Sequence, residues 1–310
     1  MIGPTRSRSA ALPAILLASL LWSLAACAPS GEKLLARAEK QLAGGEYRAA
    51  MIDLRNYLAR NPDDPRARVQ LGLAMLELGD ITAAEAEIAK ATSLGAGREQ
   101  TLVVECRLMI ARAAYQKALD ECTSPGEDAS RAAQLSVVRG DALLGLRRYD
   151  EARASFESVL KAQPQNLNAL QGLAAAAFGA GGIEGARAVF AGAPEQVRRN
   201  SHYWLALGSL ELRANALAEA EKAFEAALAR SSKDKEGADT LAALAGLTEA
   251  QLRLNKLEAA KASSERLLAA APKSRTAKLL SAQVATSGGD LGRARELLEE
   301  LVSAGPDDQC

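Results

Sequence analysis

An alanine returns every 34 residues along most of this chain, and that interval constrains the fold more than any bulk property. The series runs Ala50, Ala84, Ala118, Ala152, Ala186 and Ala220, then resumes after a six-residue insertion (235–240) at Ala260 and Ala294. If units start at Gly31, Pro65, Glu99, Ala133, Leu167, Ser201, Leu241 and Arg275, every one of these alanines falls at position 20. Three more columns keep the same register. Position 8 is small (Ala38, Gly72, Cys106, Gly140, Ala174, Gly208, Thr248, Ala282), as suits a place where two helices approach closely. Position 17 is Tyr or aliphatic: Tyr47, Ile81, Tyr115, Tyr149, Ile183, Leu217, Leu257 and Leu291. Position 32 carries Pro62, Pro164, Pro272 and Pro306, where a residue without an N–H forces the chain out of a helix. A unit of this length is two antiparallel helices, and it can bury its apolar face only against its neighbours. The expected fold is all-α, with eight stacked hairpins.

The stretch from Trp204 to Ala227 sharpens this. Trp204, Leu207 and Gly208 belong to one helix, and Ala220, Phe224 and Ala227 to the next. The spacing W-x2-L-G followed by A-x3-F resembles the tetratricopeptide repeat (TPR), which implies a right-handed superhelix, an α-solenoid of about eight helix-turn-helix repeats. On this reading the large residues fill the seam, and Gly208 and Ala220 are small because two backbones meet there.

Aromatic residues make up only 4% of the 310, so the core has to be built from Ala and Leu. The chain has no net charge, and removal of a leader containing Arg6 and Arg8 leaves 36 basic against 38 acidic residues. A nucleic-acid binder needs a basic face, and none is present.

Residues 1–26 have the form of a cleaved signal peptide: a basic start at Arg6 and Arg8, then an apolar run from Ala10 to Leu24 that is too short for a lasting membrane span. The run ends Leu24-Ala25-Ala26-Cys27, which resembles the bacterial lipoprotein box. That resemblance implies cleavage before Cys27, a diacylglycerol on its thiol and an acylated amine, and two or more acyl chains anchor a protein stably. With Ala28 next, the resemblance points to the outer membrane. Residues 27–30 are then a lipidated tether, 31–306 the solenoid and 307–310 a tail. The run EYRAAMIDLRNYLARNPDDPRARVQLGLAMLELGD, with AEAEIAKATSLGA after it, is similar to the start of the TPR lipoproteins associated with exosortase and PEP-CTERM sorting. The similarity covers roughly a fifth of the chain, from about residue 33 to 96. It implies a role in exopolysaccharide biosynthesis and export or in the associated protein sorting.

Unit three is the irregular one. Pro125 cuts its second helix short, and Cys106 (position 8) faces Cys122 (position 24) across the hairpin. Two readings stand: a disulfide, if the Cα atoms come within about 7 Å, or two small buried thiols. Cys310 reads as free and exposed. Units four to six read as the best formed, with Phe156, Phe190 and Phe224 at position 24, and Ser231 to Glu236 as a polar connector.

Chemistry is sparse. His202 is the one histidine, and it reads as a surface side chain. It cannot alone supply a zinc site or a triad. The cluster Gly179, Gly181 and Gly182 falls at an inter-helix turn and not at a phosphate cradle. No catalytic residue, metal site or cofactor is assigned. Binding is a different matter. In TPR arrays the concave face is lined by the first helices, and here position 5 gives Leu35, Val69, Val103, Val137, Gln171, Leu205, Ala245 and Leu279. Position 12 adds Leu42, Leu76, Ile110, Leu144, Phe178, Leu212, Leu252 and Thr286. Polar Glu39, Arg107, Asp141, Ser209, Arg213, Glu249 and Arg253 border the stripe. The Lys and Asn clamp of chaperone-binding TPRs is missing. Either the stripe is open and takes an extended or helical protein segment, or tight winding packs it against itself.

The chain is therefore expected to be a non-enzymatic periplasmic scaffold, anchored by lipid on Cys27 and binding periplasmic or outer-membrane proteins on its concave face. The alternative is a pilotin or assembly factor for a secretion, pilus or outer-membrane complex.

Overall fold

The structure is a computed structural model that describes residues 31–123, 128–231 and 237–303. Seventeen helices and no strands occur among the described residues. Units one and two are α1 (Gly31–Ala43) with α2 (Tyr47–Leu58) and α3 (Pro65–Glu77) with α4 (Ile81–Ser93). Units three and four are α5 (Arg98–Ala111) with α6 (Tyr115–Glu121) and α7 (Ala129–Gly145) with α8 (Tyr149–Ala162). Unit five is α9 (Leu167–Gly181), α10 (Ile183–Ala191) and a one-turn α11 (Glu195–Arg198). Units six to eight are α12 (Ser201–Arg213) with α13 (Leu217–Arg230), α14 (Ala238–Arg253) with α15 (Leu257–Ala270), and α16 (Arg275–Ser287) with α17 (Leu291–Ser303). None of these helices is long and apolar enough to cross a membrane. The leader, the tether with Cys27, Pro125, residues 232–236 of the connector, Pro306 and the tail with Cys310 lie outside the described residues.

Five of the eight first helices start at a side chain that caps their free N–H groups, whereas α5 and α14 start after glycine without such a cap. Position 34 supplies that cap four times. Asp64 accepts from Arg66 N (2.9 Å), Asn166 from Ala169 N (3.0 Å), Asn200 from His202 N (2.9 Å) and Ser274 from Ala277 N (3.4 Å). In unit four Asp128 takes over this role, which lets α7 begin four residues before Ala133. The hairpin turn has its own column. Position 15 is left-handed at Gly45, Gly79, Ala113, Arg147, Asn215, Asn255 and Gly289. Only in unit five does the left-handed residue move, by one place, to Gly182.

The columns of small residues are the seams. All eight alanines at position 20 are at most 5% exposed, and all eight residues at position 8 are buried. What presses on the glycines differs from the sequence expectation. A Cβ on Gly208 would meet the ring of Phe224 at 2.8 Å, and one on Gly140 would meet the ring of Phe156 at 2.5 Å. An aromatic face, not a second backbone, claims the space. Each ring is sandwiched, because position 6 of the following unit is also Gly: a Cβ on Gly172 or Gly246 would come within 2.3 Å of Phe156 or Phe224. Burying each ring contributes about 1.5–3 kcal/mol, so these two glycines are what joins unit four to five and six to seven.

Unit five is not among the best formed. Gly192, Ala193 and Pro194 interrupt its second helix after nine residues. The aromatic residues of unit six complete the hydrogen bonding there. Tyr203 Oη donates to Phe190 O (2.9 Å) and Trp204 Nε1 to Arg198 O (2.7 Å), while Arg198 Nε donates to Ala193 O (2.9 Å). Trp204, read from sequence as seam filler, is half-buried and lies 4.8 Å from the Arg230 guanidinium.

The array curves toward its first helices, which touch their counterparts in adjoining units throughout, whereas successive second helices make at most marginal contact. The winding is tight. A Cβ on Gly45, in the turn of unit one, would lie 3.4 Å from Nε2 of His202, at the start of unit six. His202 is thus half-buried and not a free surface side chain. Its Nδ1 is 3.2 Å from Asn200 Oδ1 and its Nε2 3.1 Å from Asp239 Oδ1.

Candidate functional site

Curvature toward the first helices places positions 5, 9, 12 and 13 on the inner face. Side-by-side contact of those helices then covers part of the stripe. Leu35, Val69, Val103, Phe178, Leu205 and Leu212 are half-buried, and Val137 is buried at 8% exposure. A fully open apolar stripe is therefore too simple: neighbouring helices take up about half of it.

Most of the polar border is paired. Glu39 accepts from Gln70 Nε2 at 3.0 Å, and Arg107 forms an ion pair with Glu77 at 2.5 Å. The Arg213 guanidinium sits 5.6 Å from the centre of the Phe178 ring. Asp141 is the charged exception, a half-buried carboxylate with no hydrogen bond and with Arg107 as the charge that acts on it. Burial pushes its pKa up to about 6, and the Arg107 charge only partly opposes the rise. A carboxylate short of partners in an apolar setting gains from any cationic donor that reaches it.

Between α12 and α14 the face opens into a cleft of about 380 Å³. Five of the residues expected from sequence converge there: Ser209, Leu212, Arg213, Glu249 and Arg253. Arg253 forms one wall, donating to Asn215 Oδ1 (2.8 Å), Glu249 Oε1 (3.3 Å) and Leu212 O (3.4 Å). Three lining residues were missed by sequence reasoning, namely Phe224, Ala242 and Gly246. Phe224 belongs to a second helix, yet its ring edge forms part of the floor because Gly246 has no side chain to cover it. The available signal was a glycine at position 6 following a phenylalanine at position 24. The other expected residues, Leu35, Glu39, Val69, Val103, Arg107, Val137, Asp141, Phe178 and Leu205, lie along the same face outside this cleft.

Cys106 and Cys122 form a disulfide, with Cα atoms 5.8 Å apart, which joins α5 to the residue just after α6. No group of three His, Cys, Asp or Glu residues that could hold a metal ion occurs among the described residues.

Sequence profiles described as tetratricopeptide repeat match residues 35–99, 107–166 and 247–309 in one case and 143–210 in another. The chain belongs to the tetratricopeptide repeat family. Among solved structures, the crystal structure of yeast Tom70 is similar, with a TM-score of 0.63 and 19% identity over 90% of this TPR chain and 61% of that one. The match covers about three fifths of the Tom70 chain, and at this identity it speaks to the fold alone. No curated protein matches. TPR arrays are typically protein-interaction scaffolds, and the repeats of this chain point to that class.

Proposed function

We propose that this TPR protein is a lipid-tethered periplasmic scaffold whose inner face holds segments of other envelope proteins. In this reading Cys27 carries the lipid, and the clients are components of exopolysaccharide biosynthesis and export or of the associated C-terminal sorting system. The cleft between α12 and α14 carries the binding part of the proposal. It combines an apolar floor (Leu212, Phe224) with an arginine wall (Arg213, Arg253) and an acid (Glu249), a mixture that suits a short amphipathic peptide segment. The bridge between Cys106 and Cys122 supports an oxidising compartment.

Two experiments test the two parts. A photo-crosslinking side chain at Ser209, used in the native cell, should capture an exopolysaccharide-export or exosortase component. Capture of secretin or pilin components instead moves the role to assembly of those machines, and no capture from Ser209 or Arg253 overturns the cleft. For the anchor, Cys27→Ser should release the protein from membranes, and its continued retention there excludes lipid on Cys27.

A further inference from the structure

The outer faces of α17 and α1 are the two halves of a junction that the array makes seven times internally. At position 24, Leu54, Ile88, Cys122, Phe156, Phe190, Phe224 and Ser264 are at most 7% exposed, whereas the eighth, Leu298, is 44% exposed. Position 17 behaves alike: half-buried in seven units, but 67% exposed at Leu291. With Val302 these side chains border an open apolar hollow of about 560 Å³. Internally, that surface is covered by the next first helix, through its positions 6 and 13. Phe156 rests on Gly172, Phe224 on Gly246, Tyr115 on Gly145 and Tyr149 on Gly179.

The internal junctions also show what kind of helix fits. The three large rings at position 24 meet small residues at position 6 of the next unit, Phe156 and Phe224 facing glycine and Phe190 standing opposite Ala206 in sequence, whereas Leu54 stands opposite Gln70, Ile88 opposite Val104, Cys122 opposite Val138 and Ser264 opposite Leu280. Position 6 of unit one is Ala36, the one exposed residue of its column, and position 13 is Ala43, small like Gly145 and Gly179. Charge follows the same logic. Position 21 pairs with the following unit at Glu85–Arg112 (2.5 Å), Arg187–Glu211 (2.6 Å) and Glu221–Lys256 (2.5 Å). The last position 21 is Arg295, 80% exposed and paired along its own helix with Glu299 (2.6 Å), and unit one offers exposed Glu46 at position 16, where Lys256 stands in unit seven.

We infer that α17 of one copy docks on α1 of a second copy, head to tail, with Leu298 over Ala36, Leu291 over Ala43 and Arg295 beside Glu46. Such a contact is heterologous: each copy uses two different faces, so the stack can lengthen. Where Cys27 is lipidated, the superhelix axis has to lie along the membrane so that each tether reaches it. This inference is independent of the proposed inner-face function and lengthens the inner face without altering it.

Sedimentation of the purified full chain in non-ionic detergent, over a concentration series, tests it. The weight-average mass should rise with concentration, and Leu298→Asp or Ala36→Trp should each hold the protein at one copy. Both residues are exposed, so circular dichroism should report unchanged helix content. Mixing the two variants should restore a dimer and nothing longer, because each retains one sound face. Arg295→Glu should weaken association, and Glu46→Arg in the same chain should restore it. A wild type that stays monomeric throughout, or an Ala36→Trp variant that still dimerises through α17 alone, overturns the inference.

Discussion

Units three and five share a defect and repair it differently. Both have a short second helix, seven residues in α6 and nine in α10, against 12 to 14 in the other six units. Unit three closes the gap covalently, by joining Cys106 to Cys122. Unit five closes it with hydrogen bonds lent by its neighbour, in which Tyr203 and Trp204 satisfy the carbonyls of Phe190 and Arg198. The bridge makes unit three self-sufficient but dependent on redox state, whereas unit five is insensitive to redox state but depends on α12 being in place. A repeat array tolerates a damaged hairpin because stability is shared between units and their interfaces, and these two repairs act on different sides of that division.

The comparison can be broken most forcefully at the bridge. Cys106→Ala with Cys122→Ala should lower stability by about 3 kcal/mol, the value for a closed loop of this length. Denaturant titration with and without reductant checks it: reductant should destabilise the wild type and leave the double variant unchanged. Asp141, at the junction of units three and four, comes next. Its carboxyl holds a proton more tightly folded than unfolded, so stability should fall as pH rises from about 4 toward about 6 and level off above. Asp141→Asn should therefore stabilise the protein at pH 7 by on the order of 2 kcal/mol and flatten that pH profile in thermal melts.

In unit five, Tyr203→Phe leaves the Phe190 carbonyl without its donor, at a cost of about 1–2 kcal/mol. The loss should be independent of reductant, in contrast to unit three. The smallest effect separates the two turns. Ala113 is left-handed at φ 56°, so Ala113→Gly should be neutral or stabilising by up to about 1 kcal/mol. Gly182, at φ 77° and ψ −162°, sits where side chains are excluded, and Gly182→Ala should destabilise by about 1 kcal/mol or more. Equal responses at both turns would remove the distinction.

The register was legible because one packing constraint acts eight times. A single alanine means little, but eight at one spacing can only be a seam, and each proves buried. Cys106 and Cys122 were visible as a pair for the same reason, since the register placed them across one hairpin. What occurs once was not legible. Pro194 sits at position 28 of unit five, where no other unit has proline, so no column drew attention to it. The cleft was half legible. Columns named Ser209, Leu212, Arg213, Glu249 and Arg253, but Phe224 reaches the floor only through a glycine in the following unit, a relation between columns and not within one. His202 escaped for a further reason: its neighbour Gly45 is in unit one, and only the winding of the whole array brings the two together.

That last contact has a mechanical consequence. With unit one resting on unit six, the molecule is a close-wound spring: it resists compression at once and yields first to extension. Pulling its two ends apart should separate Gly45 from His202 before any hairpin has to open, so the array can lengthen without loss of helix and close again when released.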